Sequence, residues 1–152
     1  MSTRVVLVGF GLAVLSVGAL AADRGTPAEA EALVEKAKAH FQEVGRTQAL
    51  VDFTGKKAPW VDRDLYVVCI DANHTILANG AFPKYVGVSA DALTDADGKP
   101  LGKAFWNAVA EGPEGSVKYR WINPVSGKIE WKIAYLRRVG DDLLIVGAYF
   151  GE

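Results

Sequence analysis

The C-terminal part of the chain carries three predicted β-strand segments, separated by two tight turns. Residues 115–122 and 128–138 alternate with the two-residue period of a β-strand, and the apolar residues 143–150 are predicted to be the last strand. The connections at 123–127 and 140–142 are rich in Asn, Pro, Gly and Asp, which favour turns. Strands joined by such short connections pair antiparallel with their neighbours in the chain. This feature restricts the chain to folds built around an antiparallel sheet.

One long helix is predicted over residues 26–53. Thr26, Pro27 and Glu29 form a start signal, because Thr caps the first free N–H groups, Pro fits the first helical position and Glu completes a capping box. Apolar side chains then recur at helical spacing and form one apolar stripe. Gly45 is a position at which this helix can kink.

Between that helix and the last three strands, the sequence predicts a hairpin and a second helix. The hairpin strands are residues 64–70 and 75–79, and the helix is residues 100–111. The element order predicts an α+β fold with an antiparallel sheet of about five strands and the long N-terminal helix on one face. The connection at 80–98 and the second helix are expected to cover part of the other face, which leaves a pocket above the sheet.

The first residues have the pattern of a cleavable signal peptide. Arg4 gives a positive start, residues 5–20 are uncharged and apolar, and Ala19-Leu20-Ala21 is a small-x-small cleavage site. We therefore expect residues 1–21 to be a signal peptide and residues 22–152 to be one domain in the periplasm. The alternative is an uncleaved membrane anchor, for which the apolar run is slightly short.

Composition excludes several classes of function. The chain has 17 Lys and Arg against 18 Asp and Glu, and loss of Arg4 with a signal peptide leaves the domain weakly acidic. A nucleic-acid-binding domain would be basic, so we expect no nucleic-acid partner. Cys69 is the single cysteine, which excludes an intramolecular disulfide and favours a role as a small buried apolar side chain.

The motifs of catalysis and of metal binding are missing or incomplete. Two histidines and one cysteine are too few for a zinc site. The Asp71 and Asp95 segments resemble the start of a calcium loop, but position twelve is Phe82 or Trp106 instead of Glu. There is no Gly-x-Ser-x-Gly nucleophile motif. We therefore expect no enzyme activity, no cofactor and no metal.

Aromatic residues and one lysine are the remaining candidates for a binding site. Lys132 lies in the middle of a mostly apolar strand. In one interpretation the aromatic residues form the core and Lys132 points to solvent. In the other, a half-buried Lys132 among tyrosines binds a small carboxylate. Strict alternation places Lys132 and Tyr135 on opposite faces, so a shared ligand would require a bulge or the sheet edge. The aromatic residues on or beside predicted strands are Trp60, Tyr66, Trp121, Trp131, Tyr135 and Tyr149.

Several segments between residues 30 and 150 together resemble single Cache domains. The resemblance implies a PAS-like fold and an extracytoplasmic sensor module of the kind found in chemoreceptors and histidine kinases. It also implies a pocket over the sheet for small molecules, short organic carboxylates among them. The segments are DLYVVCIDANHTILAN at 64–79, YVG at 85–87, LTDADGKP at 93–100, YRWINPVSGK at 119–128, and the pair of Lys132 and Tyr135 followed by VGD at 139–141.

The resemblance also implies site residues, since Tyr66, Asn79, Lys132 and Tyr135 fall on motif positions of the family. Asn79 stands where the family usually has His. Trp121 and Trp131 join the candidates as aromatic residues on predicted strands. The predicted ligand-binding residues are Tyr66, Asn79, Trp121, Trp131, Lys132 and Tyr135.

The predicted function is extracytoplasmic binding or sensing of a small molecule, a short organic carboxylate above all. We expect the domain to lack its own transducer, to act with a separate membrane receptor or kinase, and to form a homodimer through the N-terminal helix. One alternative is a protein-interaction module without a ligand, which Trp121 and Trp131 filling the pocket would favour. Another is a sensor fragment held in the membrane by its signal sequence.

Overall fold

The computed structural model describes residues 24–151, in which three α-helices and six strands follow the predicted order. The signal-peptide prediction for residues 1–21 lies outside the described residues. Within the described part of the chain, no helix is long and apolar enough to span a membrane. Two short 3₁₀ turns, Pro83–Tyr85 and Ala90–Ala92, lie in the long connection. The elements are α1 (Pro27–Val44), α2 (Arg46–Thr54), β1 (Val61–Asp62), β2 (Leu65–Asp71), β3 (Ile76–Asn79), α3 (Leu101–Ala108), β4 (Glu114–Ile122), β5 (Ile129–Val139) and β6 (Asp142–Gly151).

The N-terminal helix begins as predicted and ends earlier than predicted. Thr26 accepts a hydrogen bond from the backbone N–H of Glu29, and the Glu29 carboxylate accepts one from the N–H of Thr26, which confirms the capping box. The prediction of one helix over 26–53 is wrong, because Gly45 has φ +83° and ψ 160°. That conformation is outside the helical region and is accessible mainly to glycine, so the chain changes direction between α1 and α2.

The sheet is entirely antiparallel, in the order β1-β2-β6-β5-β4, and β3 also pairs with β2. The α+β fold with a helix on one face is confirmed. The sheet has six strands instead of about five because β1, only two residues long, pairs with the start of β2. A strand of two residues is too short to produce an alternating pattern, and periodicity alone does not detect it.

Each strand presents one set of side chains to the helices and the other set to the long connection. On the helix face, Leu65, Val67 and Cys69 of β2 pack with side chains of α1 and α2. Cys69 is fully buried, as predicted, and burial raises the pKa of its thiol. On the opposite face, which we call the loop face, Tyr66 and Ile70 of β2 pack beneath the 80–98 connection and α3. The candidate site lies on the loop face.

Candidate functional site

A small cavity lies between the loop face of the sheet and the connection that covers it. Its volume is about 40 Å³, well below the roughly 300–1,000 Å³ of typical ligand pockets. Strands β2, β3 and β4 form its floor, and the connection and α3 form its roof. The lining is mostly apolar and aromatic, and consists of Tyr66, Val68, Ile70, Ile76, Asn79, Tyr85, Ala90, Leu93, Leu101, Phe105, Tyr119 and Trp121.

Lys132 reaches the edge of this cavity by crossing the sheet. It belongs to β5, and its side chain is directed over β6 towards Tyr66 of β2. The crossing requires Gly147, because a Cβ there would lie 2.3 Å from Cε of Lys132. The ammonium nitrogen Nζ lies 3.9 Å from the centre of the Tyr66 ring and 4.4 Å from that of Tyr149. Lys132 is only 2% exposed, so the amine is enclosed by aromatic rings and not by water.

A chain of hydrogen bonds fixes the two tyrosine hydroxyls beside Lys132. Tyr149 donates its hydroxyl proton to the carbonyl of Ile122 at 2.7 Å. Since a hydroxyl has one proton, its oxygen then accepts from Nζ of Lys132 at 3.3 Å and from the Tyr66 hydroxyl at 3.2 Å. Burial raises the pKa of both phenols, so both remain protonated at neutral pH.

The charge on Lys132 has no close counter-ion in the described part of the chain. No carboxylate there lies within ion-pair distance of Nζ, whose hydrogen-bond partner is the Tyr149 hydroxyl. Burial lowers the pKa of Lys132 to about 7, and the charge of Asp64 opposes this shift only in part. The amine is therefore divided between its charged and neutral forms near neutral pH.

Asp64 is fully buried, but its oxygens are occupied by other donors. Oδ1 accepts the backbone N–H of Gly25 at 2.6 Å, and Oδ2 accepts the side-chain amide of Asn123 at 3.1 Å. Glu130 lies nearby, where it accepts from Asn123 and pairs with Arg24. These bonds hold the residues before α1 against the sheet, and in the described part of the chain the hydrogen-bond partner of Lys132 is Tyr149 and not Asp64.

The structure brings four of the six predicted site residues together. Tyr66, Asn79 and Trp121 line the cavity, and Lys132 lies behind the Tyr66 ring. The Asn79 side chain also shapes the turn after β3, because its Oδ1 accepts the backbone N–H groups of Ala81 and Phe82. Whether these residues bind a ligand stays a prediction.

The structure separates Trp131 and Tyr135 from the cavity. Trp131 is 36% exposed and stacks on Phe150 at the surface, and Tyr135 packs against the helix-face core. A bulge is present between β5 and β6, but its extra residue is Phe150 of β6. Strand β5 itself alternates without interruption, so Lys132 and Tyr135 remain on opposite faces.

Some of the residues around Lys132 were missed by the sequence reasoning. Tyr119, which was not a candidate, lies directly opposite Lys132 in the β4–β5 pairing. Tyr149, which accepts a hydrogen bond from Nζ, was named among the aromatic residues but not among the predicted ligand-binding residues. Gly147 was also missed, although a glycine inside an apolar strand indicates a close approach by another group. Tyr149 lies two residues after Gly147, and this spacing places both on one face of β6.

Residues 24–151 contain no group of three or more His, Cys, Asp or Glu side chains that could hold a metal ion. His40 is hydrogen-bonded to Asp52 at 2.7 Å and stacks near Trp60, and His74 is hydrogen-bonded to Asp91 at 2.6 Å. Both histidines therefore make local packing contacts and hydrogen bonds in this structure.

Comparison with protein families gives one match that covers almost the whole described region. The family model of Single Cache domain 2 matches residues 25–151. No curated protein matches the sequence significantly.

Three solved structures share the fold at low sequence identity. A methyl-accepting chemotaxis protein from Vibrio parahaemolyticus RIMD 2210633 has a TM-score of 0.67 at 17% identity, covering 80% of this chain and 86% of that chain. A periplasmic sensor domain of a chemotaxis protein has a TM-score of 0.62 at 23% identity, covering 80% and 88%. A Cache chemosensory domain, described as a structural basis for carboxylic acid recognition, has a TM-score of 0.61 at 19% identity, covering 80% and 86%.

Proposed function

The chain belongs to the Single Cache domain 2 family, and we propose that it binds a small organic carboxylate in the cavity on the loop face. Cache domains are extracytoplasmic sensor and ligand-binding domains and not enzymes. Cavity position, polar groups and aromatic walls all support a binding role at this place in the fold.

The observation that carries the proposal is the buried amine of Lys132, which has no carboxylate partner among residues 24–151. A buried cation without a counter-ion is unfavourable, and a carboxylate in the cavity would supply the missing negative charge. Lys132 is 2% exposed, and its hydrogen-bond partner is a hydroxyl. The similar Cache chemosensory domain that recognises carboxylic acids supports the same ligand class.

The size of the cavity limits the ligand. A volume of about 40 Å³ suits a molecule as small as acetate. The Tyr66 ring separates this space from Nζ of Lys132, so direct contact requires the ring to turn. A larger carboxylate also requires the connection to move outwards, and Tyr85, which is only half-buried, lies in the roof where that movement would occur.

We further propose that residues 1–21 direct the domain to the periplasm, where it works with a separate membrane receptor or kinase. A homodimer through α1 stays a prediction. Mass spectrometry of the N-terminus distinguishes a cleaved protein from one that keeps the segment as an anchor.

Thermal unfolding with isosteric ligands tests the ligand class. Acetate and propionate should raise the Tm of the purified protein, whereas acetamide, which has nearly the shape of acetate without its charge, should not. A ligand at 100 times its Kd stabilises the folded state by about 2.7 kcal/mol. If no short carboxylate raises the Tm of a correctly folded sample, the proposed function is wrong.

A matched pair of lysine variants tests the site. Lys132→Met should weaken acetate binding by more than tenfold, because it removes the buried positive charge beside Tyr66, which lines the cavity. Lys118→Met removes a lysine that is exposed on the neighbouring strand β4, and should leave the affinity unchanged. Equal affinity in both variants would remove Lys132 from the site.

A further inference from the structure

The groups around Lys132 determine whether its amine gains a proton when a ligand binds. The rings of Tyr66 on β2 and Tyr149 on β6 lie beside the Lys132 amine, and Tyr119 is the residue opposite Lys132 on β4. The acidic groups near this end of the sheet already accept hydrogen bonds from other residues. The titratable or charged groups around Lys132 are Asp64 before β2, Tyr66 on β2, Tyr85 in the connection, Tyr119 on β4, Glu130 on β5, Tyr149 on β6, and Arg24, which is paired with Glu130.

We propose that the cavity binds its carboxylate together with one proton, which the amine of Lys132 takes up from solvent. This inference rests on the proposed function, and it adds the regulation of the same site by pH. The neutral amine and the carboxylate anion are both present before binding at slightly alkaline pH. After binding, an ammonium and a carboxylate face each other, and the net charge of the buried site is unchanged.

The geometry supports this exchange because burial of Lys132 without a described carboxylate partner favours the neutral amine. The side chain is held over Gly147 between the Tyr66 and Tyr149 rings, where no described carboxylate neutralises an ammonium. An anion a few ångströms away favours the charged form of an amine. Binding of the anion and protonation of the lysine therefore stabilise each other, as linkage requires.

The buried phenols of Tyr66, Tyr119 and Tyr149 do not supply the same effect between pH 6 and pH 9. Burial raises the pKa of Tyr66, Tyr119 and Tyr149, so these phenols keep their protons over that range. Asp64 is fully buried and bound by two N–H groups, and Glu130 is paired with Arg24. Burial lowers the pKa of Lys132 to about 7, which lies inside this interval.

Isothermal titration calorimetry with acetate measures the proton directly. At one pH, the observed enthalpy varies with the ionisation enthalpy of the buffer, and the slope gives the number of protons taken up. At pH 8 a group with pKa about 7 is about nine-tenths neutral, so the uptake should be about 0.9 proton per acetate. At pH 6 the amine is already charged, and the uptake should fall to about 0.1 proton.

The pH dependence of affinity gives a second readout. The Kd for acetate should be nearly constant below pH 6.5 and should rise about tenfold between pH 8 and pH 9, because the proton becomes limiting. Lys132→Arg supplies the matched variant, since arginine stays protonated throughout. If this variant binds acetate, its Kd should not change with pH and its proton uptake should be close to zero.

The outcomes separate the two proposals. Acetate binding at pH 6 and pH 8 with no proton uptake at either pH overturns the proton-linked inference and leaves the carboxylate function standing. An absence of acetate binding at pH 6, where Lys132 is charged, overturns both. If Lys132→Arg fails to fold, the buffer dependence of the unmodified protein still decides between these results.

Discussion

The two faces of the sheet share the same strands but are covered differently. On the helix face, two helices supply rows of side chains, and Phe53 and Trp60 meet edge to face with ring centres 5.0 Å apart. On the loop face, the irregular 80–98 connection and one short helix leave a cavity of about 40 Å³. The loop face also contains a buried lysine that lacks a counter-ion among the described residues.

We relate this difference to two roles, stability for the helix face and ligand binding for the loop face. Regular helices pack closely because their side chains project at fixed intervals, and such packing stabilises the fold. An irregular connection packs less regularly and is able to move, which a ligand pocket requires. Three predictions, from the largest expected effect to the smallest, test whether the helix face mainly stabilises the fold and the loop face mainly binds the ligand.

The largest expected effect compares an aromatic residue on each face. Phe53→Ala should lower the free energy of unfolding by about 3–5 kcal/mol, because the ring is fully buried and its removal leaves a cavity. Tyr85→Ala removes a half-buried ring from the roof of the loop-face cavity, and should cost about 1 kcal/mol or less. Urea unfolding measures both values. Similar losses would mean that the loop face contributes as much to stability as the helix face.

The second prediction concerns the penalty for charging Lys132. Its pKa is about 7 when folded and near 10.4 when unfolded, so the unfolded chain binds more protons between these values. Stability should therefore rise as the pH increases from 7 to 10, and the penalty is largest below pH 7. Lys132→Met should remove this dependence and stabilise the protein at pH 6 by about 1–3 kcal/mol.

Denaturant unfolding at several pH values checks this result, with Lys118→Met as the control. Lys118 is exposed on β4, so its replacement should leave the shape of the pH profile unchanged. If Lys132→Met is less stable than the unmodified protein at pH 6, the buried amine of Lys132 does not impose the proposed charging penalty.

The smallest expected effect concerns the path of the lysine side chain. Gly147→Ala places a methyl group 2.3 Å from Cε of Lys132 and 3.0 Å from the carbonyl oxygen of Ile133. We expect a loss of about 1–2 kcal/mol, since the side chain or the strand must shift. In the Lys132→Ala background the same substitution should cost less, and a double-mutant cycle measures the difference. Additive effects would show that Gly147 does not create space for Lys132.

Local patterns were sufficient for five of the six strands and for the start of α1. The alternation at 115–122 predicted β4 closely, and the apolar run at 143–150 after a tight turn predicted β6, which is buried on both sides. The capping box at Thr26 and Glu29 fixed the first turn of the helix. The break at Gly45 was harder to predict, since a glycine inside a helical pattern is tolerated at many positions.

The site depended on contacts between distant residues. From the sequence, Lys132 was either exposed or half-buried. Alternation placed it on the face opposite Tyr135 but did not identify the groups around it. Trp131 was expected at the site, yet the β5 alternation directs it to the other side and the bulge at Phe150 leaves the two rings stacked at the surface. Such outcomes depend on strand pairing, which single-strand periodicity does not contain.

The sequence by itself determined the family, the antiparallel sheet and the candidate lysine, because strand period, turn residues and motif order are local properties of the chain. Only the tertiary structure decided that Lys132 crosses β6 over Gly147 and ends between Tyr66 and Tyr149. That arrangement joins residues from three strands. The pKa of about 7 at Lys132 follows from the removal of water around its amine, which happens only when those strands come together.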